Sequence, residues 1–268
     1  MDNQIPLFES EREILGKNTA LMQAAQDTLL RLPNFDEKYA EAKLYKSNDF
    51  DIKNIDDSRT GFIDIVDGDV LDVAHEYEKF RPCVLNFASA LHPGGGWLVG
   101  AVAQEEVITR RSTLFKSIDG NLMYARNKEH IDELPFYLDD MIYSPYVRVF
   151  KDRDLKVMDD WFNISVITAA AVNMRKAAPA SIEKIDEVML RRVEKVLKIA
   201  AVEGHKTIIL GAWGCGAFGQ DAGRVAGYFR SVLMEKGYVG CFDNIIFAIY
   251  NDQKKLQAFQ SVFASETA

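Results

Sequence analysis

Residues 83–106 read CVLNFASALHPGGGWLVGAVAQEE, and this stretch decides the fold. Its first six residues, 83–88, are apolar apart from one asparagine, which is typical of a buried strand. The chain then enters a loop that contains Pro93 and the run Gly94-Gly95-Gly96. Three successive glycines cost backbone entropy, but they let the chain approach a ligand closely and turn its N–H groups toward an anion. We therefore interpret this segment as a ligand-binding loop at the end of a strand.

A second motif, Gln104-Glu105-Glu106, follows seven residues after the glycine run. By itself it predicts only the solvated first turn of a helix, because acidic side chains favour the positive end of a helix dipole. We expect this helix to run from about Ala103 to about Phe115. Adjacent residues on a regular element do not share a face. The two glutamates should therefore divide the work, with one orienting a substrate and the other delivering a proton.

Residues 211–219 form a second glycine-rich loop, which lies between a predicted strand and a predicted helix and suits a diphosphate group. The loop is not a Walker motif, since no Gly-Lys-Ser/Thr follows it. Gly214, Gly216 and Gly219 match the spacing of a dinucleotide fingerprint. The ribose-binding acid expected about 20 residues further on is not evident, because Glu235 falls on a predicted helix. This disfavours a nicotinamide-dependent dehydrogenase.

The three cysteines, Cys83, Cys215 and Cys241, are widely spaced, which argues against a disulfide framework. None belongs to a CxxC pair or to a Cys/His cluster, so we expect no metal and no cofactor. Cys215 lies in the second glycine-rich loop, but a nucleophilic cysteine needs a base, and only His92 is near a predicted site. We interpret Cys215 as a small residue at a tight bend.

Composition excludes several classes of protein. The chain has 268 residues and a formal net charge of −8. A nucleic-acid-binding protein usually presents a basic face, and this sequence has no run of Lys and Arg, so a long nucleic-acid footprint is not expected. The polar start resembles no signal peptide, and no apolar run approaches the roughly 20 residues that span a membrane. We expect a cytoplasmic protein without a membrane partner.

Strands and helices alternate through most of the chain. Strands are predicted at 61–66, 83–88, 140–145, 147–150, 162–169, 207–211 and 244–250. Helices are predicted at 9–31, 70–79, 103–115, 182–202 and 221–236, with an exposed excursion at 33–49 and an irregular stretch at 119–140. This alternation predicts an α/β sandwich with a mixed, largely parallel sheet. Both glycine-rich loops then lie at carboxyl ends of strands, where such sheets bind ligands.

A turn ends the first predicted strand at Asp67-Gly68-Asp69 and leads into Val70. It is unremarkable as a turn, although Asp69 could accept a hydrogen bond from an exocyclic amine such as that of adenine. Among the aromatic residues near the glycine loops, Phe218 is the better candidate for a ligand platform, because it lies inside the second loop.

Taken together, these motifs resemble a known family. The stretch from Asn86 through the glycine run to Gln104-Glu105-Glu106 looks like the signature of the microbial-type poly(ADP-ribose) glycohydrolases, which are macrodomain proteins. Segments 143–150, 167–173 and 211–218 extend the resemblance to about residues 10–260. It implies a macrodomain-like three-layer α/β/α sandwich with a mixed sheet. Residues 1–60 would form an N-terminal helical accessory region packed on a catalytic core at 61–268.

The resemblance also implies roles for individual residues. Glu106 would be the catalytic acid and base, and Glu105 would hold a hydroxyl of the penultimate ribose. Gly94, Gly95 and Gly96 would cradle the distal ribose and the neighbouring phosphate. The second loop would wrap the diphosphate, with Phe218 on the distal ribose, and the Asp69 turn would receive adenine. The full set implied for substrate binding, besides the glycine run, is Asp69, Val70, Asn86, Gln104, Gly214, Cys215, Gly216, Ala217 and Phe218.

The implied activity is hydrolysis of the ribose–ribose O-glycosidic bond, without a metal or cofactor, on poly(ADP-ribose) carried by modified proteins. Two alternatives remain on the same fold. One is removal of a single ADP-ribose or deacylation of O-acyl-ADP-ribose. The other is a module that binds ADP-ribose without cleaving it. The sequence departs from the family at 171–173, which reads Ala-Val-Asn where members often read Ala-Pro-Asn, and around Leu98 and Val99.

Overall fold

A single sheet organises the protein. The computed structural model describes residues 9–49, 57–133, 135–176 and 182–264, with side chains from residue 18 onward. Within these ranges, seven strands join in the order β1-β4-β5-β3-β6-β7-β2. Their bounds are β1 Lys43–Tyr45, β2 Phe62–Val66, β3 Cys83–Phe87, β4 Met141–Lys151, β5 Val157–Ala169, β6 Thr207–Leu210 and β7 Asn244–Ala248.

The sheet is mixed, as predicted. Strands β5, β3, β6, β7 and β2 run parallel to one another, whereas β4 is antiparallel to both of its neighbours, β1 and β5. Side chains alternate between the two faces along each strand. In β3, Cys83 and Leu85 therefore join one apolar core, while Val84 joins the core on the opposite face.

Helices cover both faces of this sheet. Their bounds are α1 Glu9–Arg31, α2 Val70–Glu76, α3 Gln104–Arg111, α4 Leu114–Ile118, α5 Leu122–Glu129, α6 Ile182–Val202, α7 Ala222–Arg230 and α8 Gln253–Ala264. Helices α6, α7 and α8 share one core with the sheet, and α2 to α5 share the other. The amphipathic stripe predicted for 182–202 is the buried face of α6. The result is a three-layer α/β/α architecture.

Helix α1 is fixed to the core by buried polar contacts. Lys151, at the end of β4, is fully buried, and its Nζ donates to the carbonyl oxygen of Ala24 at 2.8 Å and to the hydroxyl of Thr28 at 2.7 Å. The Thr28 hydroxyl also donates to the carbonyl oxygen of Arg110, in α3, at 2.6 Å. The accessory region predicted for 1–60 stays a prediction, and its residues 1–8 and 50–56 lie outside the described residues.

Several predicted elements differ from the structure. The excursion at 33–49 is not simply exposed, because Tyr39 and Tyr45 are buried and β1 pairs with β4. The two short strands at 140–150 form one strand whose register shifts between Ser144 and Val147, on either side of a proline that has no N–H to donate. Helix α8 was not predicted at all.

The helix predicted at 103–115 also ends early, at Arg111. Ser112 forms an isolated bridge with Val149 of β4, and the Thr113 N–H donates to the carbonyl oxygen of Arg148 at 2.9 Å. The chain therefore leaves α3 to pair with the sheet before it begins α4.

Candidate active site

A cavity of about 430 Å³ opens at the carboxyl ends of four adjacent parallel strands, β3, β6, β7 and β2. This volume is within the range of small-molecule binding sites. The lining residues are 68–70, 87–89, 102–107, 171, 212–214, 216–218, 248–252 and 255. Both predicted loops and the predicted Asp69 turn therefore meet at one site.

The first turn of α3 is attached to the end of β3 by Gln104. The Gln104 Oε1 accepts a hydrogen bond from the Phe87 N–H at 2.8 Å, and its Nε2 donates to the carbonyl oxygen of Leu85 at 2.8 Å. The side-chain amide thus continues the hydrogen bonding of the strand. Gln104 lines the cavity, and its amide fixes the position of the two glutamates that follow; the contact with substrate stays a prediction.

The two glutamates are buried at the cavity wall, and the backbone holds one oxygen of each. The Ser89 N–H donates to Glu105 Oε2 at 2.6 Å, and the Gly96 N–H donates to Glu106 Oε1 at 2.8 Å. The second oxygens, Glu105 Oε1 and Glu106 Oε2, are buried without a hydrogen-bond partner among the described residues. An unpaired buried acceptor is costly, so these atoms fit the hydroxyl groups of a bound ligand.

Burial changes the protonation of the site. The pKa of Glu105 is raised to about 8, chiefly by desolvation, with a smaller contribution from the neighbouring Glu106, whereas the Ser89 N–H acts in the opposite direction. A carboxyl group with this pKa is mostly protonated at neutral pH. Glu105 can therefore donate a hydrogen bond as well as accept one.

The glycine run lies behind the glutamates rather than in the cavity lining. Gly95 has φ +61°, and a Cβ at this position would lie 2.3 Å from Glu106 Oε1 and 2.9 Å from Glu105 Oε2. The ribose cradle expected of Gly94, Gly95 and Gly96 stays a prediction. Of these three glycines, only Gly95 closely approaches the two carboxylates. A Cβ at Gly94 would meet Trp97 and Thr109, and one at Gly96 would meet Ala101.

The second loop contributes to the cavity mainly through small residues. Gly214 has φ +81°, and a Cβ there would lie 2.8 Å from atoms of Ala171 and Gln220. Gly214, Gly216, Ala217 and Phe218 line the cavity as predicted, but Cys215 does not. The Cys215 thiol packs against the core of α6 to α8, and burial raises its pKa to about 12.

Asp69 and Val70 form the opposite end of the cavity. Asp69 caps α2: its Oδ1 accepts hydrogen bonds from the backbone N–H groups of Leu71 and Asp72 at 3.0 and 3.3 Å. The same oxygen receives a hydrogen bond from Arg111 Nη1 at 2.8 Å. Arg111 was not predicted as a site residue. It connects the C-terminal end of α3 to this turn.

Asn86 does not line the cavity. It is fully buried in β3, where its Nδ2 donates to the Thr168 hydroxyl at 3.2 Å and its Oδ1 has no hydrogen-bond partner among the described residues. Its amide faces Glu105 and lowers that residue's pKa against the effect of burial. The contact with substrate expected of Asn86 stays a prediction.

Sequence reasoning missed the loop after β7. The cavity is lined between the second glycine loop and the Asp69 turn by residues 249–252 of this loop. Lys255, in the first turn of α8, also lines it. No glycine run or charged motif marks this segment. The available signal was its place after a predicted parallel strand, since neighbouring strands of this kind deliver their loops to the same edge.

Comparison with known proteins shows the family of the chain. The family model described as the catalytic domain of microbial-type PARG, or poly(ADP-ribose) glycohydrolase, matches residues 13–152, which is more than half of the chain. The chain belongs to the microbial-type PARG family. Its fold is macrodomain-like. No curated protein matches the sequence.

Solved structures of PARG enzymes support this membership over nearly the whole chain. Poly(ADP-ribose) glycohydrolase from Thermomonospora curvata superposes with a TM-score of 0.85 at 29% identity, covering 91% of this chain and 100% of that one. Its complex with the inhibitor ADP-HPD gives 0.82 at 29% identity, with 91% and 99% coverage. The Deinococcus radiodurans enzyme in complex with ADP-ribose gives 0.79 at 29% identity, with 88% and 98% coverage.

Val172, where the sequence departs from the PARG pattern, has a structural role. Val172 is fully buried, and its N–H donates to the sulfur of Met189 at 3.4 Å, a bond that a proline could not make. Its carbonyl oxygen accepts a hydrogen bond from Gln220 Nε2 at 2.8 Å. The block therefore ties the end of β5 to α6 and to the second glycine loop.

None of the described helices is long and apolar enough to cross a membrane.

Proposed function

We propose that this PARG family member hydrolyses the ribose–ribose O-glycosidic bond of poly(ADP-ribose) and releases ADP-ribose. The observation that carries the proposal is the pair of buried glutamates, each with one oxygen fixed by a backbone N–H and one oxygen without a partner. The related T. curvata and D. radiodurans enzymes bind ADP-HPD and ADP-ribose, which supports a ligand of this chemistry.

The order of the strands suggests how ADP-ribose is oriented in the cavity. From β3 to β2, the cavity meets the glutamates, the second glycine loop, the loop after β7 and the Asp69 turn in that order. ADP-ribose is a linear molecule of distal ribose, diphosphate, adenosine ribose and adenine. We place these four parts on the four loops in the same sequence, with the distal ribose at Glu106 and adenine at Asp69 and Val70.

In this arrangement Glu106 is the general acid and base. It protonates the leaving ribose oxygen as the bond from that oxygen to the distal C1″ breaks. The positive charge that develops on the distal ribose is offset by the adjacent diphosphate. Glu106, now ionised, accepts a proton from the water that attacks C1″, so it is regenerated at the end of the cycle. No other group has to gain or lose a proton.

Glu105 positions the substrate. Because its pKa is raised to about 8, Glu105 is mostly protonated at pH 7. In the neutral form it donates a hydrogen bond to a ribose hydroxyl of the penultimate unit. The pair differs from an ordinary glycosidase pair, whose carboxyl groups flank the scissile bond from separate positions. Here both side chains extend from one turn of α3.

The direct test is Glu106→Gln, with release of ADP-ribose from poly(ADP-ribose) measured by liquid chromatography. The rate should fall by about 10²–10⁴-fold, the usual contribution of a general acid–base group. Calorimetry should show that the variant still binds ADP-ribose. Glu129→Gln, on the exposed end of α5, is the matched control and should keep the wild-type rate. Wild-type turnover by Glu106→Gln contradicts the mechanism.

The substrate class is tested in parallel. We propose ADP-ribosylated proteins as the source of the polymer. We also propose a reducing compartment such as the cytoplasm, which agrees with the finding that Cys83, Cys215 and Cys241 form no disulfide with one another. A panel of poly- and mono-ADP-ribosylated proteins should show release from the polymer. Release only from the mono-modified protein contradicts the proposed substrate, and binding of ADP-ribose without any turnover contradicts enzymatic activity.

A further inference from the structure

The seven residues between the glycine run and α3, which read WLVGAVA, are all apolar. Trp97 is buried, but Leu98, Val99 and Val102 expose 43%, 71% and 64% of their surface. Clustered apolar side chains on a protein surface commonly mark a binding site. We refer to Leu98, Val99 and Val102 as the apolar lip.

The backbone beneath the lip is fixed. The N–H groups of Val99 and Ala101 both donate to the carbonyl oxygen of Gly96, at 3.0 and 3.2 Å. The buried guanidinium of Arg110 donates to the carbonyl oxygens of Trp97 and Ala101 at 3.1 and 2.6 Å. These contacts fix the segment from both sides. The exposure of the lip is therefore a property of an ordered surface that requires no rearrangement to receive a ligand.

The lip adjoins the proposed catalytic acid. Val99 Cγ2 and Glu106 Oε1 lie 3.5 and 3.9 Å from the point where a Cβ on Gly96 would stand. Val102 lines the cavity just before α3. The ADP-ribose to be released extends from Glu106 over the loops that follow β6, β7 and β2. The group on the far side of the scissile oxygen must therefore leave past the segment that carries the lip.

We infer that the apolar lip binds the adenine base of the unit from which ADP-ribose is cleaved. This inference rests on the proposed function. In the polymer the leaving oxygen belongs to the ribose of an adenosine, so that base lies one sugar away from Glu106. The two faces of a nucleobase are apolar and match an aliphatic surface. Residues 97–103 carry no charged side chain that would attract a phosphate instead.

The test compares two ligands that fill different parts of the site. In a Glu106→Gln background, which prevents turnover, free ADP-ribose occupies only the cavity, whereas a dimer of ADP-ribose also reaches the lip. Titration calorimetry should show the dimer binding about five- to tenfold tighter, as expected for covering a small apolar surface. Adding Val99→Ser should remove this advantage and leave the dissociation constant of free ADP-ribose unchanged.

Val157→Ser is the matched control, since Val157 is also exposed, at 41%, but lies at the start of β5 and outside the cavity. It should keep the advantage of the dimer. Equal binding of both ligands with an intact lip overturns the inference, as does an advantage that survives both Val99→Ser and Leu98→Ser.

Two further outcomes identify a different occupant and also overturn the inference. If the tighter binding of the ADP-ribose dimer disappears when the salt concentration is raised from 50 to 300 mM, the tighter binding comes from phosphate contacts, because apolar contacts are not screened. Sedimentation of a protein dimer that dissociates on Val99→Ser assigns the lip to a second copy of the chain. Failure of both ligands to bind refutes the proposed function itself, whereas tight binding of ADP-ribose with no effect of the lip refutes only this inference.

Discussion

Gly95→Ala should inactivate the enzyme by adding one methyl group. Gly95 has φ +61°, and the new Cβ would stand 2.3 Å from Glu106 Oε1 and 2.9 Å from Glu105 Oε2. Restoring ordinary contact requires a displacement of about 1 Å in one of the carboxylates or in the loop. A misplacement of about 1 Å at a catalytic group can reduce a rate about 100-fold. We therefore expect ADP-ribose release to fall at least about 100-fold.

Gly120→Ala separates this clash from backbone strain. Gly120 has φ +70°, but a Cβ there meets nothing within 4 Å. Gly120→Ala should lose about 1–2 kcal/mol of unfolding free energy, because a side chain in the left-handed region is strained, and Gly95→Ala should lose at least as much, because its Cβ also meets the carboxylates. Only Gly95→Ala should lose activity. Initial rates and chemical denaturation of both variants give the comparison. A folded Gly95→Ala enzyme with a rate within about threefold of wild type would refute the reasoning.

Three further predictions concern stability. Because the folded pKa of Glu105 is about 8 and the unfolded value is 4.5, the folded state holds a proton that the unfolded chain releases. Stability should therefore fall as pH rises from about 5 toward 8, and Glu105→Gln should raise the melting temperature at pH 8.5 more than at pH 5. Burial lowers the pKa of His205, so stability should also fall as pH drops below about 6.5, and urea unfolding of His205→Gln should lack this loss. Lys151→Met removes the bonds to Ala24 and Thr28 and should lower the unfolding free energy by about 1–3 kcal/mol, with faster hydrogen exchange in α1.

The sequence predicted the centre of the fold well. The apolar run of β3 and the long amphipathic stripe of α6 are local patterns that tertiary contacts reinforce, and both elements match their predicted positions to within a residue. The chain's departure from α3 at Arg111 was not predictable in this way. It depends on a bridge between Ser112 and Val149, which are far apart in the sequence.

The sequence predicted which residues meet at the site more successfully than which of them contact one another. Sequence reasoning brought the glutamates, the second glycine loop and Asp69 to one cavity. It expected the glycine run to contact the ligand, which stays a prediction, and it did not anticipate the close approach of Gly95 to the carboxylates. Periodicity and composition do not reveal which of two close partners a backbone approaches. Arg111 was not predicted as a site residue for the same reason, since its hydrogen bond to Asp69 joins two positions that no local sequence pattern connects.

The position of β2 at the edge of the sheet has a consequence for the time at which the site forms. The strand leads into the Asp69 turn, and its only partner in the described sheet is β7, at Asn244–Ala248. During synthesis, residues 62–66 must therefore wait for nearly two hundred further residues before they can pair. A growing chain would acquire its glutamates early and the second glycine loop later, yet it could not complete the proposed adenine site until β7 had been made. Binding of ADP-ribose would then report completed folding.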